Sequence, residues 1–140
     1  MTARDVSQIV TAVQEWRRIH AIRLCVLFGS QASGLTHPGS DVDLAIWPTE
    51  TPDSDTKLLW LVELQDLLGK AVSLTLVSPD LDPVLGMEIV RNGRLIYAID
   101  PELWPKERAR LWHTYNDSLP FLRAAREQLR QFAKEIRRES

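Results

Sequence analysis

Two apolar runs, joined through a glycine-serine turn and a pair of aspartates, constrain this chain more than any other feature. Leu24-Cys25-Val26-Leu27-Phe28 stops at Gly29-Ser30. A Gly- and Ser-rich segment punctuated by Pro38-Gly39 follows, and the chain returns as Ser40-Asp41-Val42-Asp43-Leu44-Ala45-Ile46-Trp47. Both runs have the length and composition of buried strands. Residues two apart in a strand point to the same side, so Asp41 and Asp43 present two carboxylates together at a strand mouth. Such a pair repels itself unless a cation lies between. Mg²⁺ takes oxygen ligands, commonly one or two carboxylates completed by substrate phosphates. The Gly29-Ser30 turn would let a phosphate approach backbone N–H groups closely, and a helix starting just after it would add its positive dipole end. The competing reading is a plain strand-loop-strand with both aspartates solvated. It has to accommodate two residues of a type that avoids strands inside one strand.

Around this centre the hydrophobic spacing predicts alternating elements. Thr2-Ala3-Arg4-Asp5 has the form of a helix start, with Asp5 in the place usual for Glu. Val6, Ile9, Val10, Val13, Trp16 and Ile19 recur at helical spacing over residues 4–19. Strands are expected at 22–28 and 42–47, with at most one or two helical turns over 31–35 and a turn at His37-Pro38-Gly39. A helix over 55–68, capped by Asp53 or Ser54, ends at Gly69. Val72 to Val77 alternates apolar and hydroxyl side chains like a half-buried strand. A helix over 83–91, an Asn92-Gly93 turn and a strand over 94–99 come next. A helix then starts at Pro101 or Pro105 and reaches about Asn116, and a separate last helix follows Pro120. The expected fold is therefore α/β (α+β): a central mixed sheet of three to five strands flanked by helices, with a helical C-terminus. Residues 1–120 form the main domain and 121–140 a C-terminal helix.

The 140 residues suit one domain with a real core, and 26% charged against 44% apolar residues is ordinary for a soluble globular chain. No apolar run approaches membrane-spanning length, and Met1 to Asp5 has no apolar signal core, so a cytoplasmic, non-membrane protein is expected. The single cysteine, Cys25, excludes an internal disulfide framework and lies in an apolar run, where it reads as a small buried hydrophobe. The three scattered histidines have no cysteine partners and do not suggest zinc. Net charge is −2, but residues 121–140 carry six Lys/Arg against three Glu. That basic tail suits an acidic partner or a solvated helix face, and direct nucleic-acid binding is not expected. Its apolar positions, Leu122, Ala125, Leu129, Phe132 and Ile136, alternate steps of three and four. This stripe suits either a partner helix or the protein's own helix at 105–116. Trp47, Trp60, Trp104 and Trp112 read as core or interface anchors.

The joint pattern of strand, Gly29-Ser30, a ten-residue spacer and Ser40-Asp41-x-Asp43-Leu44 resembles the nucleotidyltransferase superfamily related to DNA polymerase beta. More narrowly it is similar to the minimal nucleotidyltransferases (MNT) encoded beside HEPN toxins. The resemblance is specific over 24–47 and looser over Glu88 to Tyr97. It implies a nucleotidyltransferase fold, with Asp41 and Asp43 as catalytic Mg²⁺ ligands and Gly29, Ser30 and Ser40 binding nucleotide. It further implies an antitoxin that transfers AMP from ATP to a tyrosine of a HEPN RNase toxin. Two departures bear on turnover. The third carboxylate usual on the next strand is Ser73, which leaves Asp80, Asp82 or Glu88 as possible replacements. An arginine frequent in the Gly-Ser segment is Ser33. The alternative function is therefore a catalytically impaired antitoxin that acts by binding only. Transfer to an aminoglycoside-type small molecule would need extra substrate-binding structure for which the chain has little room.

Overall fold

In the computed structural model, residues 5–29 and 41–139 are described. The expectations for Thr2, Ser30, the turns over 31–39, Ser33 and Ser40 lie outside those residues. Asp5 caps helix α1 (Val6–Trp16) in a reciprocal capping box. Its Oδ1 accepts from the Gln8 N–H at 2.8 Å, and Gln8 Oε1 accepts from the Asp5 N–H at 3.0 Å. Asp5 is thus the cap itself, not the third helical residue. The α-helix stops at Trp16 and tightens to a 3₁₀ turn over Arg17–Ile19. That change of pitch rotates Ile19 off the apolar stripe, and its side chain is 78% exposed.

Strand β1 (Ile22–Phe28) pairs antiparallel with β2 (Val42–Pro48), with Phe28 opposite Asp43. Helix α2 (Ser54–Leu68) is capped by Asp53, whose Oδ1 accepts from the Thr56 N–H, and it ends at Gly69 with φ +65°. Strand β3 (Val72–Leu76) lies parallel to β2, as the intervening helix requires. Helix α3 (Pro83–Asn92) leads into β4 (Arg94–Ala98), which pairs antiparallel with β1. The four-stranded order is β3-β2-β1-β4, a mixed sheet within the expected range.

Strand parity sorts the core onto the two sheet faces. Cys25, Leu27, Val42, Leu44 and Ile46 meet Ile9, Val13 and Trp16 of α1 and Trp60, Leu64 and Leu68 of α2. Leu24, Val26, Phe28, Ala45 and Trp47 meet Ile89 of α3 and Trp104 and Leu111 of the last helix, α4 (Leu103–Glu139). Both apolar strands are therefore covered on two sides, as their unbroken composition demands.

Helix α4 corrects two expectations. It begins at Leu103, so neither proline is its first residue, and Pro105 falls in the first turn, where a missing N–H costs nothing. It also runs through Pro120 without a second helix beginning there. Pro120 deprives the Asn116 carbonyl of its helical donor, but this turn is partly solvated, so water can supply one. The phase of the stripe, moreover, never shifts: Leu111, Tyr115, Ser118, Leu122 and Ala125 keep the same steps of three and four. That unbroken phase was the signal against a break. Because 105–116 and 122–136 belong to one helix, the C-terminal stripe cannot pack on the earlier segment. Leu129, Phe132 and Ile136 are 68%, 60% and 50% exposed.

Candidate functional site

The site forms where β1 ends and β2 begins. Val42 and Leu44 point into the core with α1 and α2, so alternation turns Asp43 to the other face, toward α3. Asp41 precedes the strand and is exposed, whereas Asp43 is half-buried. Gly29 adopts φ +74° directly beside Asp43. A Cβ at position 29 would collide with Asp43 Oδ2, so glycine is required both by its backbone angle and by the carboxylate pressed against it. The backbone turn and the aspartate thus form a single unit.

Electrostatics show what this unit lacks. Burial pushes the Asp43 carboxyl above the ordinary carboxylate range, the charge of Asp41 adds to the shift, and so does that of Glu88. No positive side chain offsets these effects among the causes acting on Asp43. Among the described residues, no group of three or more His, Cys, Asp or Glu is arranged to hold a metal ion. Asp41 and Asp43 nevertheless fit a divalent cation completed by phosphate oxygens, because a shared cation offsets both the burial that chiefly raises Asp43 and the repulsion by Asp41. Glu88 acts on Asp43 through its charge from α3, without joining the two aspartates as a ligand cluster.

The parallel register puts Ser73 of β3 next to Asp43 of β2. Paired residues in neighbouring strands point the same way, so Ser73 occupies the flank where a third carboxylate would stand. Its side chain is exposed. The three possible replacements separate clearly. Asp82 is engaged in capping α3, accepting from the Val84 N–H at 2.8 Å. Asp80 lies in the exposed turn after β3 and is not among the charges acting on Asp43. Glu88 alone of the three perturbs Asp43.

Trp47, Trp60 and Trp104 are buried, while Trp112 is 48% exposed. Tyr97 lies under the Arg17 guanidinium, 3.9 Å from ring centroid to Cζ. Burial pushes the Cys25 thiol up to about 12, which makes it inert as a nucleophile. One residue escaped sequence reasoning altogether. Glu107 of α4 accepts from Trp47 Nε1 at 2.7 Å and from Arg110 Nε and Nη2 at 3.0 Å each. Its burial would raise the carboxyl, but those hydrogen bonds and the charges of Arg110 and Arg23 outweigh it and hold the group below the ordinary range. The i,i+3 spacing of Glu107 and Arg110 was legible; the contact with Trp47, sixty residues away, was not.

A family model described as polymerase beta, nucleotidyltransferase matches residues 11–102. No curated protein sequence matches the chain. Similar solved structures include a toxin–antitoxin complex crystallised with AMP-PNP, at 20% identity and TM-score 0.74, covering 90% of this chain and 98% of that one. A complex of tri-AMPylated Shewanella oneidensis HEPN toxin with MNT antitoxin matches at 17% identity and TM-score 0.73, covering 89% and 98%. The toxin–antitoxin MntA–HepT matches at 18% identity and TM-score 0.64, covering 91% and 98%. At these identities the likeness is one of fold. No described helix is long and apolar enough to cross a membrane.

Proposed function

The chain belongs to the polymerase beta nucleotidyltransferase family, and on that premise we propose that it is an MNT-type antitoxin. In this reading it transfers AMP from ATP to a tyrosine of a cognate HEPN toxin and so neutralises it. The observation that carries the reading is the Gly29–Asp43 unit: a left-handed glycine pressed against a carboxylate whose charge is destabilised by burial and further by Asp41 and Glu88. Structural neighbours crystallised with AMP-PNP and with an AMPylated HEPN toxin support the choice of nucleotide and acceptor.

Asp41 and Asp43 would hold Mg²⁺, which when bound draws charge from the triphosphate and from the attacking and leaving oxygens. Gly29, with Ser30 and Ser40, would place the phosphates against the start of β2. The tyrosine oxygen forms the new bond to the α-phosphorus, the bond to the β-phosphate oxygen breaks, and pyrophosphate leaves with that electron pair. The phenolic proton needs an acceptor. Ser73 is a poor base, and Glu88 is the carboxylate nearest in effect to the reacting pair.

Calorimetry tests the binding half of this reading. ATP binding should require Mg²⁺ and vanish in Asp41→Asn/Asp43→Asn. Equal affinity in the wild type and the double variant would remove the site. Mass spectrometry of a co-expressed HEPN partner after incubation with ATP tests the transfer half. A second reading, neutralisation by binding alone, is favoured by Ser73 standing at the third-carboxylate position. It predicts tight complex formation with no mass shift.

A further inference from the structure

We propose that the chain self-associates, with the basic C-terminal half of α4 from one copy seated in the acidic groove between α1 and α2 of another. The groove has a volume of about 980 Å³ and lies on the sheet face opposite the Asp41–Asp43 site. Among the described residues, its lining includes the carboxylates Glu15, Glu63 and Asp66, the apolar Trp16 and Leu67, and no Lys or Arg. Glu15 has one outer partner, Arg18 at 3.3 Å, in a pair that is 66% exposed on both sides and therefore weak. Glu63 faces His20 Nε2 at 3.5 Å. Leu59 and Val62, 57% and 45% exposed, extend the apolar surface along the outward side of α2.

Among the described residues, three buried polar atoms in this region lack hydrogen bonds: Trp16 Nε1, and His20 Nε2 and Glu63 Oε1, which face each other at 3.5 Å. Trp16 is only 7% exposed and lines the groove, yet its indole N–H has no acceptor. Glu63 Oε1, on the α2 wall, accepts no hydrogen bond, the approach of His20 being too poorly aligned to supply one. These atoms lie beneath the surface; it is the lining, carboxylates beside apolar side chains, that suits an occupant bringing cations and an apolar stripe.

Residues 121–139 match that description on each count. Leu129, Phe132 and Ile136 form an exposed stripe. Arg126 borders it on one side and the Gln128 amide on the other, Arg130 lies further round the helix beside Glu127 at 3.8 Å, and the segment carries six Lys/Arg against three Glu. The stripe from Leu122 to Ile136 is about 21 Å long, and the 15-residue α2 is about 22 Å long. The stripe also continues the line of α4 that buries Trp104 and Leu111, so its apolar side runs past the edge of its own domain. A helix laid beside α1 and α2 would bury this stripe by ordinary helix-on-helix packing. Reciprocal exchange fills both grooves with a closed two-fold arrangement, whereas one-way seating would grow open chains.

The test is sedimentation equilibrium of the full chain, with charge reversal on each side. Wild type should be a dimer. Arg126→Glu/Arg130→Glu and Glu15→Lys/Asp66→Lys should each raise the dissociation constant at least about 30-fold, the scale of a lost interface hot spot. An equimolar mixture of the two double variants should dimerise again, because each groove then meets a helix of opposite charge. All of these positions are remote from Asp41 and Asp43, so Mg²⁺-dependent ATP binding should be unchanged and serves as the folding control. A monomeric wild type at about 100 µM, far above the usual range of specific self-association, would overturn the proposal. So would a dimer that survives Glu15→Lys/Asp66→Lys but not the helix change, because it would mean that two α4 helices pair with each other. Failure of the mixture to recover would overturn the charge matching and with it the assignment of groove to helix.

Discussion

Asp43 and Glu107 are partly buried carboxylates on the same side of the sheet, serving opposite ends of β2, and their acidities are shifted in opposite directions. Burial raises both. At Glu107 two guanidinium hydrogen bonds, the Trp47 indole and the charges of Arg110 and Arg23 reverse the effect. At Asp43 the remaining influences, Asp41 and Glu88, push further in the same direction as burial. A carboxylate placed for structure comes with its cations built in. One placed for binding a cation or a cationic complex is left short of positive charge in the isolated chain. The difference lies in the neighbours, since residue type and burial are alike.

The largest expected effect comes from removing the unmet charge. Asp43→Asn should abolish Mg²⁺-dependent ATP binding and AMP transfer, while the melting temperature at neutral pH rises, because the burial of a charge and its repulsion by Asp41 and Glu88 disappear. A variant that loses both binding and stability would show that Asp43 belongs to the structural class. Glu88→Gln should lower transfer by about 10²-fold, the lower end of the range for a positioned base, with ATP affinity kept; unchanged transfer rates would remove Glu88 from the reaction. In the opposite direction, Ser73→Asp should raise transfer about tenfold by restoring a carboxylate beside Asp43, and a slower variant would mean that another acid already fills the role.

Glu107→Ala should cost about 1–3 kcal/mol, since it leaves the buried Trp47 N–H without its acceptor. Urea denaturation reads this directly, and ATP binding should not change. The smallest effect is in pH. The folded-state value of Glu107 is depressed, so its contribution is present above the ordinary carboxylate value and is lost as pH falls through the folded one. The folded-state value of Asp43 is raised, so its contribution is complete below the ordinary value and is lost as pH rises through the folded one. Between those limits, melting curves of Glu107→Gln should fall less steeply on the acid side than wild type, and those of Asp43→Asn less steeply toward neutrality. Parallel curves for all three proteins would erase the contrast.

Several features were legible because their causes are local. Asp53 and Gly69 bracket α2 through hydrogen bonds that span one helical turn. The apolar runs at β1 and β2 required cover on both faces, and four helices supply it. The Asp-x-Asp spacing singled out Asp41 and Asp43, and the charge of Asp41 acts on Asp43. Misreadings occurred where local rules were applied without their surroundings. Pro120 is a helix breaker in isolation, but here it sits on a partly solvated turn of a helix whose apolar phase never shifts. Ile19 has the spacing of the α1 stripe, but the helix has already tightened when it is reached.

By itself the sequence determined the order of the strands and of the helices between them, the bracket of α2 by Asp53 and Gly69, and the adjacency of the two apolar strands. Those properties follow from hydrogen-bonding and side-chain periods that repeat within a few residues. Only the tertiary structure decided that Glu88, of the three candidate acids, acts on Asp43 from α3 while Asp82 stays at a helix cap, and that Trp47 binds Glu107. Each of these depends on which strands are neighbours and which helix lies over which face. The order β3-β2-β1-β4 settles both through packing of the whole core, over separations that no local period spans.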